Sequence, residues 1–185
     1  MEQGLVQRHE VIMAGVGGKG VLMAGQLLAQ AAMSQYKHVV WFPSYASSMR
    51  GAPCECTVVF SHRRIVSPLL SQAEAVVIFS PSQFKPFERR AKSSGIILMD
   101  SAGFSGEGER KDVTLLTVSA TVKAVELGDS RAANMVLLGA YLTATEALSP
   151  SLVEKEIEKR FGGDEALINK RALREGMKLV AKPSQ

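Results

Sequence analysis

Cysteine is scarce in this chain: Cys54 and Cys56 are the only two. That excludes a disulfide framework and a four-thiolate iron–sulfur cluster built by this chain alone. Aromatic residues make up only 6%, and the basic residues are scattered along the sequence. The net charge of +4 is therefore not the clustered footprint of a nucleic-acid-binding protein. It suits an anionic small molecule or an acidic protein partner equally well. No apolar run reaches the roughly 20 residues of a membrane span; the longest, 132–144, is broken by Asn134 and Tyr141. The first ten residues, MEQGLVQRHE, are polar where a secretory signal needs an apolar stretch. No membrane association and cytoplasmic residence are expected. Acidic residues are also missing from one long segment, with none between Glu10 and Glu55.

What is present reads as a packed α/β protein. Hydrophobic residues at 46% and charged residues at 22% over 185 positions suit a single domain spanning residues 1–185. Glu10 to Gly15 is a short apolar run ending in glycines, and Val21 to Met33 is apolar on nearly every side, which predicts a buried strand, a tight turn and a buried helix. Further strands are expected at Val39 to Phe42, closed by Pro43, and at Thr57 to Phe60, followed by a solvated turn at His62-Arg63-Arg64. Ala75 to Phe79 and Ile96 to Met99 read as parallel strands joined by a covering helix over Phe84 to Ser94. An exposed loop from Phe104 to Asp112 precedes a last strand, Val113 to Val118. Beyond Ala120 the pattern is helical, broken at Gly128, at Ser149-Pro150 and at Gly162-Gly163, with Val153, Ile157 and Phe161 on an inner face and Glu156 able to pair with Arg160 outside. The expected fold is a Rossmann-like, mostly parallel sheet flanked by helices, with a C-terminal helical layer.

The first distinctive motif is Gly15-Val16-Gly17-Gly18-Lys19-Gly20, a G-x-G-x-x-G turn directly after a strand and opening a helix. Glycines there let the backbone bend and approach a ligand, and the helix start presents amides to an anion such as a pyrophosphate, with Lys19 adding a cation. The same glycines would equally serve close packing of helix on strand, and both readings stand. An ordinary dinucleotide site also needs Asp or Glu at the end of the second strand. The gap between Glu10 and Glu55 removes it. A phosphate loop of the Walker type is excluded too, because Lys19 precedes Gly20 and no Ser or Thr follows to bind magnesium.

The second motif is Ser44-Tyr45-Ala46-Ser47-Ser48-Met49-Arg50-Gly51. It sets hydroxyls and one guanidinium at the carboxyl side of a strand, where open α/β sheets bind ligands. Arg50 has the fork to grip phosphate or carboxylate, with Gly51 allowing close approach; a structural role bonding loop carbonyls is the alternative. Cys54 and Cys56 share a strand face and read as buried structural thiols rather than metal ligands. Asp100, at a strand end, reads as a cap or as an acid. No Ser, His and Asp grouping marks a nucleophile, so no catalytic residue is assigned.

In order, GVGGKG, SYASSMRGAPCECTVVFS, IVSPLLSQAEAVVIFS, ILMDS and VSATVKAVELGDSRAANMVLLGAYL resemble the gamma subunit, or gamma domain, of the pyruvate and 2-oxoglutarate ferredoxin oxidoreductases. Two departures stand out: Lys19 where the family usually has Gln, and Arg50-Gly51-Ala52 where it has Arg-Gly-Gly. The resemblance implies a chain without its own firmly bound cofactor or metal, working beside alpha and beta subunits that carry thiamine diphosphate and magnesium. Iron–sulfur clusters lie in partner chains, a ferredoxin-like delta subunit is an optional further partner, and ferredoxin accepts the electrons. The implied reaction is coenzyme A-dependent oxidative decarboxylation of a 2-oxoacid, such as pyruvate or 2-oxoglutarate, to an acyl-CoA. Coenzyme A is the ligand this chain would touch, through Gly15, Gly17, Gly18, Lys19, Gly20, Ser44, Tyr45, Arg50 and Gly51. An apolar partner face would let the isolated chain form a homodimer. From the residues alone, a free-standing nucleotide-binding protein or sensor is the alternative.

Overall fold

The computed structural model describes residues 8–45 and 51–181. Its strands are β1 (Arg8–Val16), β2 (His38–Tyr45), β3 (Pro53–Ser61), β4 (Ala73–Ile78), β5 (Ala91–Asp100) and β6 (Thr114–Val118), ordered β2-β3-β1-β4-β5-β6 in one sheet. β1, β4, β5 and β6 pair in parallel. β3 is antiparallel to both β1 and β2, so β3 alone runs against the rest. The fold is the expected mostly parallel α/β sheet, with one reversed strand inside it.

Alternation along the strands divides the core into two layers. Val11, Met13, Val77 and Leu98 face one cluster, while Ile12, Val76, Ile97 and Met99 face the other. The larger layer is covered by helices α1 (Val21–Ala32), α3 (Ala120–Glu126), α4 (Ala133–Thr145), α5 (Pro150–Arg160) and α6 (Gly163–Lys178). The smaller is covered by α2 (Phe84–Glu88), with Leu70 and Phe104 packed alongside. α4 is buried on almost every side, which explains its nearly unbroken apolar sequence. It crosses α6 at backbone contact: a Cβ on Gly139 would lie 1.9 Å from the Leu173 carbonyl oxygen, and one on Gly176 would lie 1.9 Å from that of Val136.

Three local expectations change. β2 continues through Pro43 to Tyr45, because it is the edge strand of the sheet, where a missing amide is tolerated. The covering helix expected over Phe84 to Ser94 is only α2, and β5 begins at Ala91. The Arg90 guanidinium stops it by bonding the Leu70 carbonyl (2.7 Å), the Ser71 carbonyl (3.2 Å) and Glu55 (2.8 Å), while its own carbonyl accepts from the Ala73 amide at 2.9 Å. Glu156 pairs with Lys159 at 2.7 Å, and Arg160 instead lies over the Phe161 ring, 6.0 Å from its centroid. No helix among the described residues is long and apolar enough to cross a membrane.

Candidate functional site

β1 leads through α1 to β2 on one side of the sheet, and β4 leads through α2 to β5 on the other. Because α1 and α2 lie on opposite faces, the chain changes direction between β1 and β4, and the crevice at such a switch point is where open α/β sheets bind ligands. The Gly15–Gly20 turn lies at the carboxyl end of β1, in that crevice.

Each glycine has its own reason. Gly15 is buried, and a Cβ there would meet Val21 at 2.8 Å and Phe79 at 3.0 Å; this glycine serves close packing. Gly18 has φ +98 with open space around it, and Gly20 has φ +72 as the residue capping α1. No side chain caps α1 and its first turn holds no acid, so the start of the helix keeps its uncompensated positive end. Gly18 and Lys19 are exposed. Gly15 and Gly20 are thus closely packed positions, against Val21 and Phe79 and against Asn134, while Gly18 is open.

The second motif returns to the same place. The Gly17 amide donates to the Ala52 carbonyl at 2.8 Å, and the Gly51 amide donates to the Gly17 carbonyl at 3.3 Å. Gly51 has φ +76 and nothing within 4 Å of a built Cβ. Ser44 is exposed at the carboxyl end of β2, and Tyr45 is its last residue, in register with Cys54 of β3. Arg50, the guanidinium of the motif, lies outside the described residues, as do 46–49. Among the described residues the nearest acid along the strands is Glu55. Glu55, opposite Ser44, has its carboxylate tied to Arg90.

Two further polar residues, Ser80 and Asn134, bond the turn itself. Ser80, buried after β4, accepts the Val16 amide at 3.3 Å. Asn134, 7% exposed at the start of α4, donates from Nδ2 to the Gly20 carbonyl at 3.3 Å and accepts the Met135 amide on Oδ1 at 2.9 Å. A polar residue inside the long apolar run 132–144 was the one available hint. Asp100, 4% exposed, accepts from the Thr121 hydroxyl and, at 3.3 Å each, from the amides of Thr121 and Ala102. It therefore holds the start of α3 and the following turn.

Cys54 and Cys56 do share the inner face of β3. Burial pushes the Cys56 thiol up to about 12, and the thiol donates to the Val21 carbonyl at 3.8 Å. Cys54, half-buried, is also raised by burial. Gly25 of α1 lets the helix reach this wall, since a Cβ there would sit 2.4 Å from Cys56 Sγ. At the opposite end of the sheet, Glu10 is buried and bonded by Arg8 at 2.7 Å and by Lys92. Burial pushes its carboxyl up, but these two cations outweigh it and hold the group below the usual carboxylate range.

Residues 10–179 match the family model described as pyruvate ferredoxin/flavodoxin oxidoreductase. The chain is 36% identical over 162 residues to ketoisovalerate oxidoreductase subunit VorA of Methanothermobacter thermautotrophicus, an alignment covering 86% of this chain and 33% of that protein. It thus spans about a third of the length of this relative. It is 30% identical over 173 residues to the pyruvate/ketoisovalerate oxidoreductases common subunit gamma of Pyrococcus furiosus, covering 90% of this chain and 94% of that one. Among solved structures, a 2-oxoglutarate:ferredoxin oxidoreductase from Magnetococcus marinus, with 2-oxoglutarate, coenzyme A and succinyl-CoA bound, superposes with a TM-score of 0.84. It has 20% identity, and the match covers 94% of this chain and 31% of that one. At that identity the likeness is one of fold.

Proposed function

The chain belongs to the pyruvate ferredoxin/flavodoxin oxidoreductase family, and from that premise we propose that it is the gamma subunit of a multi-subunit 2-oxoacid:ferredoxin oxidoreductase. In that assembly it supports oxidative decarboxylation of a 2-oxoacid and transfer of the acyl group to coenzyme A. The observation that carries this reading is the near end-to-end match to a gamma subunit, 90% of this chain against 94% of that one. Thiamine diphosphate, magnesium and iron–sulfur clusters belong to the alpha, beta and any ferredoxin-like delta partners, and ferredoxin takes the electrons. This chain's share is the coenzyme A side of the reaction. The diphosphate of coenzyme A suits an uncapped helix start beside an exposed lysine and an open Gly18. Arg50, directly before the anchored Gly51, supplies the second cation.

Purification from the native host tests the assignment. The expected result is co-elution with thiamine-dependent subunits and 2-oxoacid- and coenzyme A-dependent reduction of ferredoxin or viologen. A free monomer with no such partners would overturn it. Comparing pyruvate, 2-oxoglutarate and branched 2-oxoacids in the same assay identifies the substrate, which the thiamine-binding subunits are expected to select.

A further inference from the structure

Gly20 is the hinge on which the geometry of the anion site depends. Its left-handed backbone, φ 72 and ψ 19, turns the chain from the glycine loop into α1. A small rotation there would swing the leading amides of the helix away from the crevice. Within the turn itself, nothing but backbone holds this conformation: the Gly20 carbonyl accepts the Ala24 amide at 3.0 Å, and no side chain caps α1.

The missing restraint comes from far along the chain. Asn134 Nδ2 donates to the same Gly20 carbonyl, and a Cβ placed on Gly20 would lie 2.3 Å from that nitrogen and 2.8 Å from Asn134 Cγ. The Asn134 side chain thus fills the space above Gly20. It is itself fixed: Oδ1 accepts the Met135 amide at 2.9 Å, and the residue is 7% exposed. The helix that carries it is locked in turn, because the Gly139 and Gly176 crossing leaves α4 no room to slide on α6. An amide donor is required here. A carboxylate would set its charge against the Gly20 carbonyl and beside the anion, and an aliphatic side chain would leave the half-buried Gly20 carbonyl with the Ala24 amide alone.

We infer that Asn134 is a positioning residue for coenzyme A: without touching the ligand, it holds Gly20 so that the α1 amides aim at the diphosphate. This rests on the coenzyme A reading of the glycine turn, and the test separates the two. In the assembled enzyme, KM and kcat are measured for coenzyme A and for the 2-oxoacid, with thermal melting, in Asn134→Ala, Asn134→Asp and, as probes of the ligand reading, Arg50→Ala and Lys19→Ala. Loss of one aiming contact predicts a rise in the coenzyme A KM of about tenfold for both Asn134 variants. The KM for the 2-oxoacid and the kcat at saturating coenzyme A should be retained. Asn134→Asp keeps the acceptor for the Met135 amide, so an unchanged coenzyme A KM in this variant overturns the positioning role even if Asn134→Ala fails to assemble. If Arg50→Ala or Lys19→Ala raises the coenzyme A KM while folded Asn134 variants leave it unchanged, the positioning role is overturned and the ligand reading stands. If none of the four moves it, the ligand reading itself falls.

Discussion

The Gly17 amide donates to the Ala52 carbonyl at 2.8 Å, and through this bond two motifs 35 residues apart in sequence become one structure. With the return bond from the Gly51 amide, it stitches the arm that follows Arg50 onto the glycine turn.

Arg50→Ala therefore should weaken coenzyme A use without unfolding the protein. The expected outcome is a coenzyme A KM raised about tenfold, the loss of one charge-assisted contact, with the melting temperature of the complex unchanged. An unaltered KM with a lowered melting temperature would instead make Arg50 a loop clasp.

Gly139→Ala and Gly176→Ala should each be among the most damaging single substitutions in the chain. The added methyl lands on a backbone carbonyl at 1.9 Å in both cases, so α4 and α6 must separate, at a cost of ~3 kcal/mol. Gly128→Ala is the comparison. At φ +93 with open surroundings it carries only left-handed backbone strain, about 1 kcal/mol. Urea unfolding midpoints of the three variants check the ranking.

The Glu10 cluster sets an acid limit. The carboxyl is held below its unfolded value by Lys92 and Arg8 against burial. Its contribution is therefore complete above the unfolded pKa, about 4.3, and is lost as the pH falls through the lower folded value. Lys92→Met should cost about 1–2 kcal/mol at neutral pH, less than a fully buried pair because the Lys92 side chain is 44% exposed and Arg8 remains. Burial then gains weight in setting the Glu10 pKa, so the variant should lose less stability between neutral and acid pH than the wild type. Parallel denaturant curves at the two pH values test this.

Cys56 should resist alkylation in the folded protein and react only on unfolding, with Cys54 intermediate, because burial raises both thiols. The Cys56 pKa lies above its unfolded value, so its stabilising effect is present below the unfolded pKa of about 8.5 and is lost as the pH climbs toward the folded value of about 12. Iodoacetamide labelling at mild alkaline pH, followed by mass spectrometry, distinguishes the two sites. Rapid labelling of Cys56 in folded protein would contradict the buried placement.

Local sequence determined what local physics controls. An apolar run ending in glycines fixed β1, the turn and α1, since a strand buried on both faces must be apolar and a left-handed turn needs glycine. Ser149-Pro150 marked the start of α5, because proline at a first helical position leaves no orphan amide. The absence of any acid between Glu10 and Glu55 is likewise a property of the sequence alone, and it leaves the second strand without the ribose-binding carboxylate of an ordinary dinucleotide site. Other features required partners distant in sequence. The reversal of β3, the division of α1 and α2 between faces, and the early end of α2 under Arg90 all depend on contacts that no window of residues contains. Asn134 shows this most clearly. In sequence it is one polar interruption of an apolar helix; only the tertiary packing of α4 beside the start of α1 brings its amide 3.3 Å from the Gly20 carbonyl. Hydrogen-bond geometry across 114 residues is a property of the fold, because the side chain's direction is set by the helix that carries it.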